Sequence, residues 1–121
     1  MNKAFAVFAV VAGLFIAPLL AHHSNTIYDM QHMMTIQGVV TAVEFINPHV
    51  QLRFDVKNDQ GVVEKWVGVT GPPNALMRAG FKRDTLKPGD QITVDGHRAK
   101  DGSTFIEVEK IVMPDGKDFK P

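Results

Sequence analysis

The chain has 121 residues, with 13 Lys and Arg balanced by 13 Asp and Glu, and it contains no cysteine. That length supports one small domain with a single core and excludes two. Balanced charge argues against nucleic acid as a partner, since a phosphate backbone needs an excess of cations to track it. The missing thiols exclude a disulfide scaffold, a thiolate zinc site, a Cys nucleophile and a lipidated cysteine.

Met1-Asn2-Lys3 forms a short positive leader, followed by an uncharged run from Ala4 to Leu20 rich in Ala, Val, Phe and Leu. Pro18 breaks the run near its end, and Ala21 places a small residue at a cleavage position. This is the layout of a secretory signal peptide. The run is at the short limit for spanning about 30 Å of hydrocarbon, and Gly13 and Pro18 weaken a continuous helix. The expectation is a cleavable signal over residues 1–21 and a periplasmic or secreted protein, from a Gram-negative type of envelope. Membrane contact is then confined to the signal before cleavage, and the mature chain starts His22-His23-Ser24.

From His22 to Met34 no period emerges, and residues 22–34 read as an extended arm. Strand signals then take over across residues 35–114. Thr35 to Phe45 is rich in β-branched residues, with Gly38 as a bend or bulge inside a long first strand. Asn47-Pro48 interrupts it. Val50, Leu52, Phe54 and Val56 alternate with Gln51, Arg53, Asp55 and Lys57, the pattern of a half-buried strand. After an Asn58-Asp59-Gln60-Gly61 turn, Val63, Lys65, Val67 and Val69 alternate with Glu64, Trp66, Gly68 and Thr70. The valine row is expected to face inward.

Gly71-Pro72-Pro73 stops the third strand, Asn74 is placed to cap a short helix over Ala75–Ala79, and Gly80 suits the position just past it. Leu86-Lys87-Pro88-Gly89-Asp90 turns into a fourth strand with Ile92 and Val94 inward, and Asp101-Gly102 signals a hairpin. Ile106, Val108 and Ile111 mark a fifth strand, and residues 115–121 remain as a charged tail. Five strands with one helix between the third and fourth is the element order of an OB-type barrel. The predicted fold is therefore mainly β, a small OB-like five-stranded barrel; an open sandwich shares the same strand count.

The chain resembles a family of small exported bacterial proteins described only as a domain of unknown function. The residues that carry the resemblance are His22-His23-Ser24, Gly38-Val39-Val40, Asn47-Pro48-His49, Pro73-Asn74-Ala75-Leu76 and Arg78-Ala79-Gly80-Phe81. Leu86-Lys87-Pro88-Gly89-Asp90 and Gly96-His97-Arg98-Ala99-Lys100-Asp101-Gly102 complete it. The resemblance implies an envelope location and supplies no activity. Members have a charged, Met-poor segment where this chain reads Met30-Gln31-His32-Met33-Met34, so a property of that cluster belongs to this chain.

Cleavage after Ala21 would give His22 a free α-amino group beside its own imidazole, a chelate suited to Cu(II). His23 and His49 complete such a site if the arm folds back onto the barrel. The thioethers of Met30, Met33 and Met34, with His32, form a soft donor set appropriate to Cu(I). A structural reading stands beside this one: the methionines plug the barrel mouth, His49 opens a strand and His97 lies at the surface or an edge. Trp66, the only tryptophan, is either core or an exposed anchor. As an anchor it would form, with Asn47 and Pro48, a face for a small ligand or an envelope protein. No nucleophile motif or phosphate-cradling Gly-rich loop is present. The expected function is a non-catalytic binding module, with copper or another divalent metal as the candidate ligand.

Overall fold

A computed structural model describes residues 26–121. The expected signal segment, His22 and His23 lie outside the described residues. The elements run β1 (Met34–Glu44), β2 (Gln51–Lys57), β3 (Val63–Val69), α1 (Pro73–Arg78), β4 (Gln91–Arg98), β5 (Phe105–Val112) and β6 (Asp118–Phe119). Among the described residues no helix is long and apolar enough to cross a membrane.

β1 serves two neighbours. Its first half pairs antiparallel with β4, from Met34 opposite Gly96 to Val39 opposite Gln91, and its second half pairs antiparallel with β2. Gly38 sits where the strand changes partner. A Cβ there would come 2.7 Å from both the Asp55 carbonyl oxygen and the Phe54 ring. Only glycine admits that approach. The bulge of this strand lies further on, between Val40 and Ala42, and adds curvature there. β2 and β3 form a hairpin, β4 and β5 pair antiparallel, and a short parallel contact of β3 with β5 closes the ring. This is an OB-type barrel with its helix between β3 and β4, as the element order predicts.

Leu52, Phe54, Val56, Ile92, Val94, Ile106 and Ile111 fill the interior. The third strand corrects the expectation about which row faces in. Phe54 stands directly opposite Trp66, and Leu52 opposite Gly68. Opposed residues of an antiparallel pair share a face, so the Trp66–Gly68 row joins Phe54 inside and the valine row takes the other face, where Val67 is nevertheless buried. Gly68 leaves room there for Val108, whose Cγ2 would be 2.9 Å from an added Cβ.

Three further local details differ from the sequence reading. Asn74 does not cap the helix: Pro72 occupies the cap position, no side chain bonds there, and Pro73 opens the helix. Proline at the first helical position presets φ and lacks the N–H that would be unsatisfied. Gly80 does follow the helix at φ +91°, as expected. In β5, a bulge pairs Asp95 with Lys110 but Gly96 with Val108, leaving Glu109 as the extra residue. That extra residue explains why Val108 and Ile111 are both buried although three positions apart. Finally, the end of the chain is not a free tail. Asp118–Phe119 adds a sixth strand to β5, and the Phe119 ring packs 5.0 Å from Phe81.

Candidate functional site

Tyr28 pairs with Ala99 in an isolated antiparallel bridge. Lys100 N–H donates to the Ile27 carbonyl at 2.8 Å, and Asp29 N–H donates to the Arg98 carbonyl at 2.9 Å. The described part of the arm is therefore docked along the end of β4. It then folds into one tight turn. The Asp29 carboxylate accepts from the Gln31 N–H through Oδ1 at 3.2 Å, and its Oδ2 lies 2.8 Å from His32 Nδ1. The His32 N–H donates to the Asp29 carbonyl at 3.3 Å. The His32 hydrogen bond, with help from the Gln31 N–H, holds the Asp29 carboxyl below its ordinary range.

A carboxylate only accepts, so Nδ1 carries a proton, and Nε2 is the ring nitrogen left to offer a lone pair to a metal. Met30 lies on the turn and Met33 directly after it, 44% and 59% exposed. Met34 is different. It belongs to β1 and is packed against the core, so its side chain is committed to the barrel.

Beneath the turn lies His97, 7% exposed and the only buried polar side chain among the described residues. The expectation of a surface or edge histidine is overturned. Its Nδ1 is 3.0 Å from the carbonyl oxygens of both Asp29 and His32, and its Nε2 is 3.5 Å from Glu109 Oε1. Carbonyls only accept, so Nδ1 donates to both.

The remaining candidates are dispersed. His49 follows the far end of β1 and places Nδ1 2.9 Å from the Thr70 carbonyl. His32 precedes the near end of that 11-residue strand, and strands rise about 3.3 Å per residue, so roughly 30 Å of strand separates the two. His49 therefore does not join the arm turn. Asn47 and Pro48 are exposed in the β1–β2 loop, joined by a cis peptide bond. Trp66 is 3% exposed, so it presents no aromatic face with them. Its ring is instead covered by the Arg98 guanidinium, 5.0 Å from the ring and held by the Ser103 and Gly102 carbonyls. Native protein should accordingly show a blue-shifted tryptophan emission, poorly quenched by iodide and shifting red on unfolding; a red-shifted native maximum would contradict the placement.

The outward side of β2 and β3 carries Arg53 bonded to Glu44 at 2.8 Å and Lys65 near Asp55 at 3.8 Å. The same side carries Gln51, Lys57, Val63, Val69 and the buried Val67, which pairs with the exposed Phe105 of β5. Among the described residues, no three His, Cys, Asp or Glu side chains converge to hold a metal ion. In sequence, the His32 imidazole lies between the thioethers of Met30 and Met33, both exposed. Sequence reasoning selects Met30, His32 and Met33 but not Asp29, His97 or Glu109. The spacing of Asp29 and His32, three residues apart in a turn, is the available signal for the first of these.

No curated protein matches the chain. Similar solved structures include the ZRD-deleted mutant of TiaS in complex with agmatine, at 24% identity and a TM-score of 0.49 over 66% of this chain and 20% of that one. A complex of TiaS with a tRNA and ATP is similar at 24% identity and a TM-score of 0.48, over 68% of this chain and 18% of that one. The chain thus spans about a fifth of the length of TiaS. A small single-stranded DNA-binding protein from Streptomyces coelicolor is similar at 21% identity and a TM-score of 0.47, over 66% of this chain and 88% of that one. Each likeness is one of fold. A family model described as "Family of unknown function (DUF6152)" matches residues 10–106, and the chain belongs to that family.

Proposed function

We propose that this protein is a non-catalytic binding module of the bacterial envelope that holds Cu(I) on the turn from Asp29 to Met33. The ligands are His32 Nε2 and the thioethers of Met30 and Met33. The observation that supports this reading most is the Asp29–His32 pair, 2.8 Å between Oδ2 and Nδ1. Metal-binding imidazoles almost always give their other N–H to a carboxylate or carbonyl, which fixes the tautomer and raises ligand basicity. Here that partner is in place before any metal arrives. Thioethers beside an imidazole favour the soft monovalent ion over zinc. His22 and His23, a few residues upstream, offer further nitrogen donors once the signal is removed.

The test is a competition titration of untagged mature protein against a colorimetric Cu(I) chelator. The wild type is expected to bind one Cu(I). Outer-shell partners alone are worth 10–100-fold in metal affinity, so the Met30→Leu/His32→Ala/Met33→Leu variant should lose more than about a hundredfold. His49→Ala should leave affinity unchanged. A triple variant that binds like the wild type would overturn the reading.

A further inference from the structure

The segment Gly96–Gly102 supplies no ligand to the turn, yet nearly every residue in it grips the arm or the β4–β5 hairpin. Gly96 admits the backbone of Glu107 against β4, which an added Cβ would forbid. The bulge this accompanies leaves Glu109 out of register with β4, its carboxylate beside His97 Nε2. Arg98 and Lys100 bind the arm through their backbones, at Asp29 and Ile27, and Ala99 bridges to Tyr28. Asp101 Oδ1 accepts the Ser103 N–H at 2.9 Å and shapes the hairpin.

His97 stands at the centre of this arrangement. One N–H reaches two carbonyls that bracket the turn, across sequence separations of 68 and 65 residues. Those carbonyls belong to Asp29, which orients the His32 ring, and to His32 itself. Two points of a four-residue turn are thereby tied to a buried, strand-borne group. A turn of this length left on its own would sample many backbone states, and each fixed residue costs about 1–2 kcal/mol of conformational entropy. Burial of a polar ring is tolerated where its polar atoms find partners, and Nδ1 here reaches two carbonyls.

We infer that His97 is the positioning residue of the metal turn: it binds no metal, and it holds Met30, His32 and Met33 in the arrangement that does. This rests on the Cu(I) reading above, and it deepens it by assigning the Gly96–Gly102 segment a role in preorganising that site.

The experiment combines amide hydrogen exchange of the metal-free mature protein with the same Cu(I) titration, on wild type, His97→Leu and His97→Asn. Leucine fills the space without a donor. The asparagine amide nitrogen sits close to the position of Nδ1 and restores one. In His97→Leu, protection of the Asp29 and His32 amides should fall while β2 and β5 amides stay protected, and Cu(I) affinity should drop about tenfold or more. In His97→Asn, both should return toward wild type. Turn protection and affinity unchanged in a folded His97→Leu would overturn the inference, as would a folded His97→Asn that rescues neither. Should His97→Leu fail to fold, a folded His97→Asn with wild-type turn protection and affinity supports the inference, and one lacking both overturns it. A wild type that binds no Cu(I) removes the metal reading, whereas the exchange result still decides the clasp.

Discussion

Phe54→Ala is expected to bring this barrel close to unfolding at room temperature. Phe54 is 0% exposed, stands opposite Trp66 across the β2–β3 hairpin, and lies against β1 at Gly38. Its ring therefore holds three strands together at one point. Removing a buried phenylalanine side chain costs roughly 3–5 kcal/mol, through lost transfer energy and the cavity left behind. A domain of this size has only about 5–15 kcal/mol in total, and there is no disulfide to limit the unfolded state. Urea unfolding followed by circular dichroism should show the midpoint collapse. Ile46→Ala, at a residue exposed in the β1–β2 loop, should change stability by about 0.5 kcal/mol or less. Equal effects at the two sites would mean that the core is not centred on Phe54.

Gly96→Ala is expected to cost about 3 kcal/mol, at the upper end for overpacking. The added Cβ meets the Glu107 carbonyl oxygen, with Ile106 Cγ1 at 2.9 Å and the Glu107 carbonyl carbon at 3.0 Å. Backbone atoms of a paired strand cannot rotate away as a flexible side chain does, so β4 and β5 must separate or the bulge must move. Gly61→Ala supplies the comparison. Gly61 has open space around it and φ +77°, so its cost is backbone strain alone, about 1–2 kcal/mol. Thermal unfolding of both variants separates crowding from strain. If Gly96→Ala is no worse than Gly61→Ala, the close approach of β4 to β5 is wrong. The same substitution should loosen the arm, because it displaces His97 and Glu109 together.

Much of this barrel is legible from period-two alternation. β2 shows it plainly, because its apolar row ends up inside and its charged row outside. β3 shows where alternation fails as a guide. Both of its rows are apolar enough for a core, and the choice between them is made by the opposing strand, which sets Phe54 against Trp66. A row of valines looks more like an interior than a row containing glycine until Val108 is seen to occupy the space over Gly68. The tail is missed for another reason. Two residues carry too little pattern to announce a strand, and Phe119 is fixed by the rings it meets and not by its neighbours in sequence.

The arm divides in the same way. Met30, Met33 and Met34 are equivalent in composition, yet Met34 enters β1 and packs on the core while the other two stay exposed ahead of it. His49 reads as a donor the folded-back arm could reach, but β1 places it at the opposite end of the strand from His32. His97 reads as a surface or edge histidine because the carbonyls it binds lie more than 60 residues away in sequence. Local signals identify the donors; only long-range contacts reveal which of them share a place, and what holds it.

X-ray absorption of the Cu(I)-loaded mature protein reads the atoms around the metal directly. A turn that ligates through Met30, His32 and Met33 predicts two sulfur scatterers and at least one imidazole nitrogen, with the sulfur signal lost in Met30→Leu/Met33→Leu. A Cu(I) spectrum with nitrogen and oxygen scatterers only would contradict it.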